Sequence, residues 1–177
     1  TTTISYDKNG NPTTVVDALD RTSTFAYDAL NRLIAEVDAL AGRTENQYDE
    51  SGNLLSSTDP TGLTTTYTYN GFNEPVAIAS PDTGEAALTY DNAGNLASRT
   101  DSRGITESYQ YDALDRLISI SYPDSSLNIA FQYDEGSFGI GRLSSVTDGT
   151  GSTEYQYDAR GNVIQVTQVT SDQTYIT

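Results

Sequence analysis

The chain has 177 residues, room for one domain or two small ones, and its Leu, Ile, Val and Phe make up just under a fifth of it, at the border where chains bury too little apolar surface to fold. Nine Lys and Arg against 25 Asp and Glu give a net charge of −16, which repels nucleic acid and anionic membranes. The absence of Cys and His removes disulfides, thiolate metal sites, thiol nucleophiles and the commonest general base, and no run of about 18 apolar residues offers a membrane-spanning helix.

Order must come from elsewhere, and thirteen tyrosines set in a repeat supply a source. Tyr followed by Asp or Asn recurs at Tyr6, Tyr27, Tyr48, Tyr69, Tyr90, Tyr111, Tyr133 and Tyr157, with five successive intervals of 21 residues and then 22 and 24. Residues 1–177 therefore read as a single repeat region of about eight units. Beginning at Thr1 without a charged-then-apolar leader, the chain reads as an excised or trimmed piece.

Each unit carries two turn signals. The first follows the tyrosine, as in Asp7-Lys-Asn-Gly10, Asp28-Ala-Leu-Asn31, Asp49-Glu-Ser-Gly52, Asn70-Gly-Phe-Asn73, Asp91-Asn-Ala-Gly94, Asp112-Ala-Leu-Asp115 and Asp158-Ala-Arg-Gly161. An Asp or Asn at the first turn position accepts a hydrogen bond from the backbone two residues on. Gly, Asn or Asp at the fourth tolerates positive φ, so the expected loop is a type I turn closed by a left-handed residue. The second signal precedes the next tyrosine by ten residues, as in Asp17–Asp20, Asp59–Gly62, Asp101–Gly104 and Asp148–Gly151. The segments Asp38–Gly42 and Ser80–Gly84 read as one residue longer.

The runs between turns are about six residues long and rich in β-formers. They include Leu33–Val37, Thr64–Tyr69, Glu107–Tyr111, Leu117–Ser121 and Val163–Thr167. No segment holds a helical period over ten residues. The expectation is an all-β fold: tandem hairpins of about 21 residues, some sixteen antiparallel strands in a long sheet that curls, since open twisted sheets rarely exceed about ten strands flat. The repeat tyrosine and the residue two before it share a face, forming a ladder of rings broken only at Asn46. The seventh unit departs from the rest, with about four extra residues giving an irregular loop at 134–142.

This pattern resembles the YD repeat of the RHS family. The clearest matches are Tyr48-Asp-Glu-Ser-Gly-Asn-Leu54, Tyr90-Asp-Asn-Ala-Gly-Asn-Leu96 and Tyr157-Asp-Ala-Arg-Gly-Asn-Val163, and the resemblance covers essentially the whole chain. The family includes bacterial RHS proteins, the C component of insecticidal toxin complexes, wall-associated proteins and teneurins. The resemblance implies a spiralling β-sheet that contributes to a hollow shell. It also implies a non-catalytic structural role in a bacterial secreted or cell-surface protein, with flanking YD repeats and an encapsulated or displayed C-terminal toxin or effector as partners. Asp59-Pro-Thr-Gly-Leu63 is similar to the motif that ends the RHS core region, but it falls in repeat register as an ordinary second turn, so no autoprotease site is read there.

The residues expected to carry the structure are the eight repeat tyrosines with Asp49, Gly52, Asp91, Gly94, Asp158 and Gly161. The aspartates invite a calcium reading, but twelve of the 17 already have a turn role and no EF-hand loop occurs, so no metal site, cofactor or catalytic residue is assigned. The glycine-rich 134–141 stretch lies between strands, which removes the helix N-terminus a phosphate cradle uses. As a loop tip it is still a place for binding, and Phe138 and Arg142 are the candidate binding residues there. Two alternative functions remain at this point: a carbohydrate-binding module for neutral glycans on its aromatic rings, and an extracellular fibre that self-associates through open sheet edges.

Overall fold

The corner after each repeat tyrosine is where the fold is set. In the computed structural model, which describes residues 1–170 and 173–177, the fourth turn position has positive φ at Gly10, Asn31, Gly52, Asn73, Gly94, Asp115 and Gly161. In each of these turns the fourth residue donates its N–H to the carbonyl of the first, for example Gly52 to Asp49 at 3.2 Å and Asp115 to Asp112 at 3.1 Å. A β-bulge lies just before the tyrosine in hairpin after hairpin, as at Ala26/Tyr27, Gln47/Tyr48, Gln110/Tyr111 and Gln156/Tyr157. This is the expected type I turn with a left-handed closing residue, and the bulge adds local twist.

The chain divides into two compact units, Thr1–Ala87 and Leu88–Thr177. The first holds β1 (Thr3–Tyr6), β2 (Pro12–Val16), β3 (Thr22–Tyr27), β4 (Leu33–Val37), β5 (Arg43–Tyr48), β6 (Leu54–Thr58), β7 (Thr64–Tyr69), β8 (Pro75–Ser80) and the first part of β9 (Gly84–Tyr90). Each strand there pairs antiparallel with the next in sequence. The second unit holds the rest of β9, then β10 (Leu96–Thr100), β11 (Thr106–Tyr111), β12 (Leu117–Ser121), β13 (Ile129–Tyr133), β14 (Leu143–Asp148), β15 (Gly151–Tyr157), β16 (Val163–Thr170) and β17 (Thr174–Ile176). From β10 onward each is again antiparallel to its sequence neighbour. The expected all-β class holds, with seventeen strands among the described residues and one 3₁₀ turn, Ser125–Leu127, capped by Asp124.

Two turns differ from expectation. Asp38–Gly42 and Ser80–Gly84 are not longer than their counterparts. Asp38 N–H bonds Gly42 O at 2.8 Å, as Asp59 N–H bonds Leu63 O at 2.9 Å. The left-handed residue of the first is Ala41 (φ 65°), so Gly42 is already the strand's first step. Ser80 pairs with Gly84, the same five-residue span as Asp59–Leu63. Hydrogen-bond register, not the position of the glycine, sets the turn length.

Among the described residues only Ala35, Gly139 and Ser144 are buried. Strands β3, β5 and β7 alternate exposed and half-buried, with the repeat tyrosine and the residue two before it on the half-buried side. Stability is therefore spread along the strands: backbone ladders, half-covered rings and hydroxyl pairs such as Thr58–Thr64 at 2.8 Å and Thr100–Thr106 at 2.9 Å.

Candidate functional site

The tyrosines link each hairpin to the one before it. Tyr48 Oη donates to Leu33 O at 3.0 Å, Tyr69 to Leu54 O at 3.0 Å, Tyr111 to Leu96 O at 3.1 Å, Tyr133 to Leu117 O at 3.0 Å and Tyr157 to Leu143 O at 2.7 Å. The acceptor is always the first residue of the strand entered from the previous turn. A ring anchored at a bulge reaches backward across the hairpin gap, and its one polar atom finds a backbone acceptor that would otherwise face a ring. Asn46 joins this scheme: its Nδ2 donates to the same Leu33 O at 3.2 Å, so the break in the apolar pattern reinforces the link. Burial raises the Tyr69 and Tyr111 phenols above their ordinary range.

The turn aspartates make a second row of links. Asp49, Asp91 and Asp158 each accept, on Oδ1, the N–H four residues on, at 2.8–2.9 Å. On Oδ2 each accepts the side-chain amide of that same residue, Asn53, Asn95 or Asn162. Asn70 inverts the polarity: its Nδ2 donates to Glu74 Oε2 at 2.6 Å. Eleven aspartates, at positions 7, 17, 28, 49, 59, 91, 101, 112, 124, 148 and 158, are held below the ordinary carboxylate range chiefly by hydrogen bonds from the residue two or four positions on, and Asp134 is held there by Arg116 and Gly141. That is the opposite of what a general acid needs.

The residue four after the turn aspartate also reaches the next unit. Asn11 Nδ2 donates to Asn31 Oδ1 at 2.7 Å, Asn53 to Asn73 Oδ1 at 2.8 Å and Asn95 to Asp115 Oδ1 at 2.9 Å. Where that residue is arginine, the guanidinium stacks instead. Arg32 lies over the Tyr48 ring at 4.8 Å and donates to Asp49 O at 2.8 Å, and Arg116 lies over Tyr133 at 4.4 Å and bridges Asp112 and Asp134. Sequence reasoning missed this alternation, although the order Asn11, Arg32, Asn53, Glu74, Asn95, Arg116 carries its signal.

In the 134–142 loop Asp134 N–H bonds Arg142 O, eight residues on, where Asp112 N–H bonds Arg116 O, four residues on. The Asp134 carboxyl, held by Arg116 and Gly141 N–H, is lowered to about 2. Glu135 N–H donates to the buried Ser144 Oγ at 2.7 Å. Gly139 packs against the Glu135 carbonyl so closely that a Cβ would sit 1.8 Å from that oxygen. The two candidate binding residues part company here. Arg142 turns inward, donating to Phe138 O at 2.6 Å and lying over the Tyr157 ring at 5.6 Å. Phe138 is 56% exposed and borders a cleft of about 350 Å³ lined also by Glu135, Tyr155, Gln156, Tyr157 and Ile164.

On β10 and β11, Tyr109 Oη donates to Glu107 Oε2 at 2.6 Å, with Arg99 3.9 Å from the same carboxylate. Burial, then this hydrogen bond, pushes the Tyr109 phenol up to about 12. Among the described residues no cluster of three or more acidic side chains is placed to hold a metal ion.

Comparison with known proteins agrees with this geometry. No curated protein matches the chain. Among solved structures, the TcdB2-TccC3 complex superposes with a TM-score of 0.68 at 17% identity over 97% of this chain and 12% of that one. The TcdB2-TccC3-Cdc42 complex gives a TM-score of 0.67 at 17% identity over 98% of this chain and 12% of that one. A Tc holotoxin pore of Photorhabdus luminescens, carrying a substitution in TccC3, gives 0.66 at 17% identity over 94% of this chain and 11% of that one. The chain thus spans about an eighth of the length of these neighbours, and the likeness is one of fold. The family model for the RHS repeat matches four stretches, residues 6–43, 48–85, 90–127 and 139–173. The first three begin at the repeat tyrosines 6, 48 and 90 and each spans about two of the 21-residue units, and the chain belongs to the RHS repeat family.

Proposed function

We propose that this chain is a non-catalytic structural segment of a bacterial secreted or cell-surface RHS protein, one stretch of a β-sheet wall that encloses or displays a C-terminal toxin or effector domain. The observation that carries this reading is that the tyrosines link hairpin to hairpin while the turn aspartates close their own turns. The functional groups such a chain could offer to a substrate are the ones that hold its own repeats together. That only Ala35, Gly139 and Ser144 are buried among the described residues also suits a wall with two accessible faces better than a compact domain around a core.

Limited proteolysis of the full-length parent protein, followed by mass spectrometry, tests this. Under encapsulation the domain C-terminal to the repeats survives a protease dose that digests the same domain in isolation. Cleavage at equal rates means the repeats form an open scaffold and rejects enclosure.

A second reading has one observation in its favour. Phe138, Tyr155 and Tyr157 border the same cleft beside the amide of Gln156, a combination suited to stacking and hydrogen-bonding a neutral sugar. Binding to a glycan panel that is lost on Phe138→Ala supports it, and no binding at millimolar sugar rejects it.

A further inference from the structure

Asn-Gly occurs twice in the chain, at Asn9–Gly10 and Asn70–Gly71. In this dipeptide the glycine nitrogen, with no Cβ on its own residue to crowd it, can attack the side-chain carbonyl carbon of the asparagine. Gly71 is exposed, and nothing lies within 4 Å of where its Cβ would be. In the reaction the Gly71 nitrogen gives up its proton and bonds to Asn70 Cγ. The Cγ–Nδ2 bond breaks, and Nδ2 leaves with that proton as ammonia. Water then opens the five-membered imide at Cγ, leaving aspartate, or at the backbone carbonyl carbon, leaving isoaspartate with an extra methylene in the main chain.

The fold holds the two amides differently. Asn70 is half-buried and fixed on both of its polar atoms: Oδ1 accepts the N–H of Phe72 at 2.9 Å and of Glu74 at 3.1 Å, and Nδ2 donates to Glu74 Oε2 at 2.6 Å. Ring closure turns Cγ onto the Gly71 nitrogen, which breaks these bonds. Asn9 is exposed, and among the described residues its side chain makes one bond, Nδ2 to Asn31 Oδ1 at 2.9 Å. Every other repeat tyrosine is followed by Asp, so Asn70 is the one head of a first turn that carries an amide, and it stands opposite a carboxylate. A carboxylate at position 70 would meet that of Glu74 where Nδ2 now meets Oε2, and like charges in contact repel. An isoaspartate there shifts the backbone out of the register in which Asn70 N–H meets Glu74 O at 3.0 Å and Asn73 N–H meets Asn70 O at 3.1 Å. Asn73 Oδ1 also receives Asn53 Nδ2 at 2.8 Å, so the tie between the third and fourth turns goes with the turn.

We propose that Asn70–Gly71 is a self-modification site gated by its own turn. While the turn is closed, the Phe72 and Glu74 contacts withhold Asn70 Cγ from the Gly71 nitrogen. When the turn opens, the pair converts one way to an aspartyl or isoaspartyl residue that does not rebuild the turn, and the fourth corner is released from the third. The gate is a property of the turn itself, whatever the repeats enclose.

The full chain is incubated in mildly alkaline buffer, native and in guanidinium chloride, and conversion at each Asn-Gly is followed by peptide mapping with mass spectrometry. Asn70 should convert at least about tenfold more slowly in the native chain than in the unfolded one, and Asn9 should show less protection. Glu74→Ala removes one of the three anchoring bonds and should speed conversion at Asn70 about three- to tenfold while Asn9 keeps its rate. Glu74→Gln keeps an oxygen facing Nδ2 and should stay near the native rate. Asn70→Asp reproduces the aspartyl product directly, and amide exchange at residues 70 and 73, whose N–H groups close the turn, should be faster in it than in the unaltered chain. Equal rates at Asn70 in the native and unfolded chains would overturn the gate. So would an Asn70 rate indifferent to Glu74→Ala. Unchanged exchange in Asn70→Asp would overturn the claim that the aspartyl product fails to rebuild the turn.

Discussion

Tyr69 Oη donates to Leu54 O across 3.0 Å, joining the end of β7 to the beginning of β6, fifteen residues earlier. The same bond recurs at Tyr48, Tyr111, Tyr133 and Tyr157. Where no closed core forms, such bonds substitute for burial in fixing one hairpin against the next. Tyr69→Phe keeps the ring and leaves the part-buried Leu54 carbonyl without this donor. The expected cost is about 0.5–1.5 kcal/mol, read as a lower urea midpoint with unchanged slope. Tyr69→Phe and Tyr111→Phe, which share no partner, should add. An unchanged midpoint in both variants means the phenols contribute only through their rings.

The polarity of the turn pair is exchangeable. In Asp158 and Asn162 the carboxylate accepts and the amide donates. In Asn70 and Glu74 the roles are reversed at the same spacing. Asp158→Asn alone places two amides against each other and should cost about 1 kcal/mol. Adding Asn162→Glu should restore most of it. Thermal unfolding of the single and double variants checks this, and a double variant no better than the single rejects the equivalence.

Acid should destabilise the chain. The aspartate values are depressed in the fold, so the unfolded chain binds more protons in the window between the folded and ordinary values. Their contribution is complete above the ordinary carboxylate value and disappears as pH falls through the folded values, the lowest of these being Asp134 at about 2. Urea midpoints should hold from pH 7 to about 5 and fall steeply below 4. The net charge of −16 acts the other way, since acid relieves repulsion. Added salt screens that repulsion and leaves the short turn bonds in place, so the acid limb should persist at high salt. A midpoint that rises between pH 4 and 2 would show that repulsion dominates.

The alkaline side has its own marker. Tyr109 is raised to about 12, so its contribution is complete below the ordinary tyrosine value near 10 and is lost as pH climbs toward 12. Absorbance at 295 nm should show a late-ionising phenol that disappears in Tyr109→Phe. Glu107→Gln should bring that step earlier.

The long loop depends on one residue without a side chain. Gly139→Ala puts a Cβ 1.8 Å from Glu135 O, so the 134–142 loop must open. The expected loss is about 1–3 kcal/mol. Faster amide exchange should be confined to residues whose N–H groups close the loop, Asp134 to Arg142 O and Arg142 to Gly139 O. Unchanged exchange there would show that the loop accommodates the methyl.

What the sequence determined by itself was everything local. The tyrosine period, the Asp-to-Gly or Asp-to-Asn corners, the strand lengths and the shared face of Phe25 with Tyr27 all follow from backbone preferences within about five residues. These act in any context, so they can be read along the chain. The tertiary structure decided what lies opposite what. The acceptors Leu33, Leu54, Leu96, Leu117 and Leu143 sit 14–16 residues from their tyrosines, and Asn11 meets Asn31 twenty residues away. Those pairs exist only once bulges and turns have set the register. Register likewise gave the left-handed position to Ala41 in spite of the neighbouring Gly42. It turned Arg142 from a surface candidate into the residue that holds its own loop. The hydrogen-bond ladder between strands outweighs the preference of any single side chain, and it is a property of the paired chain alone.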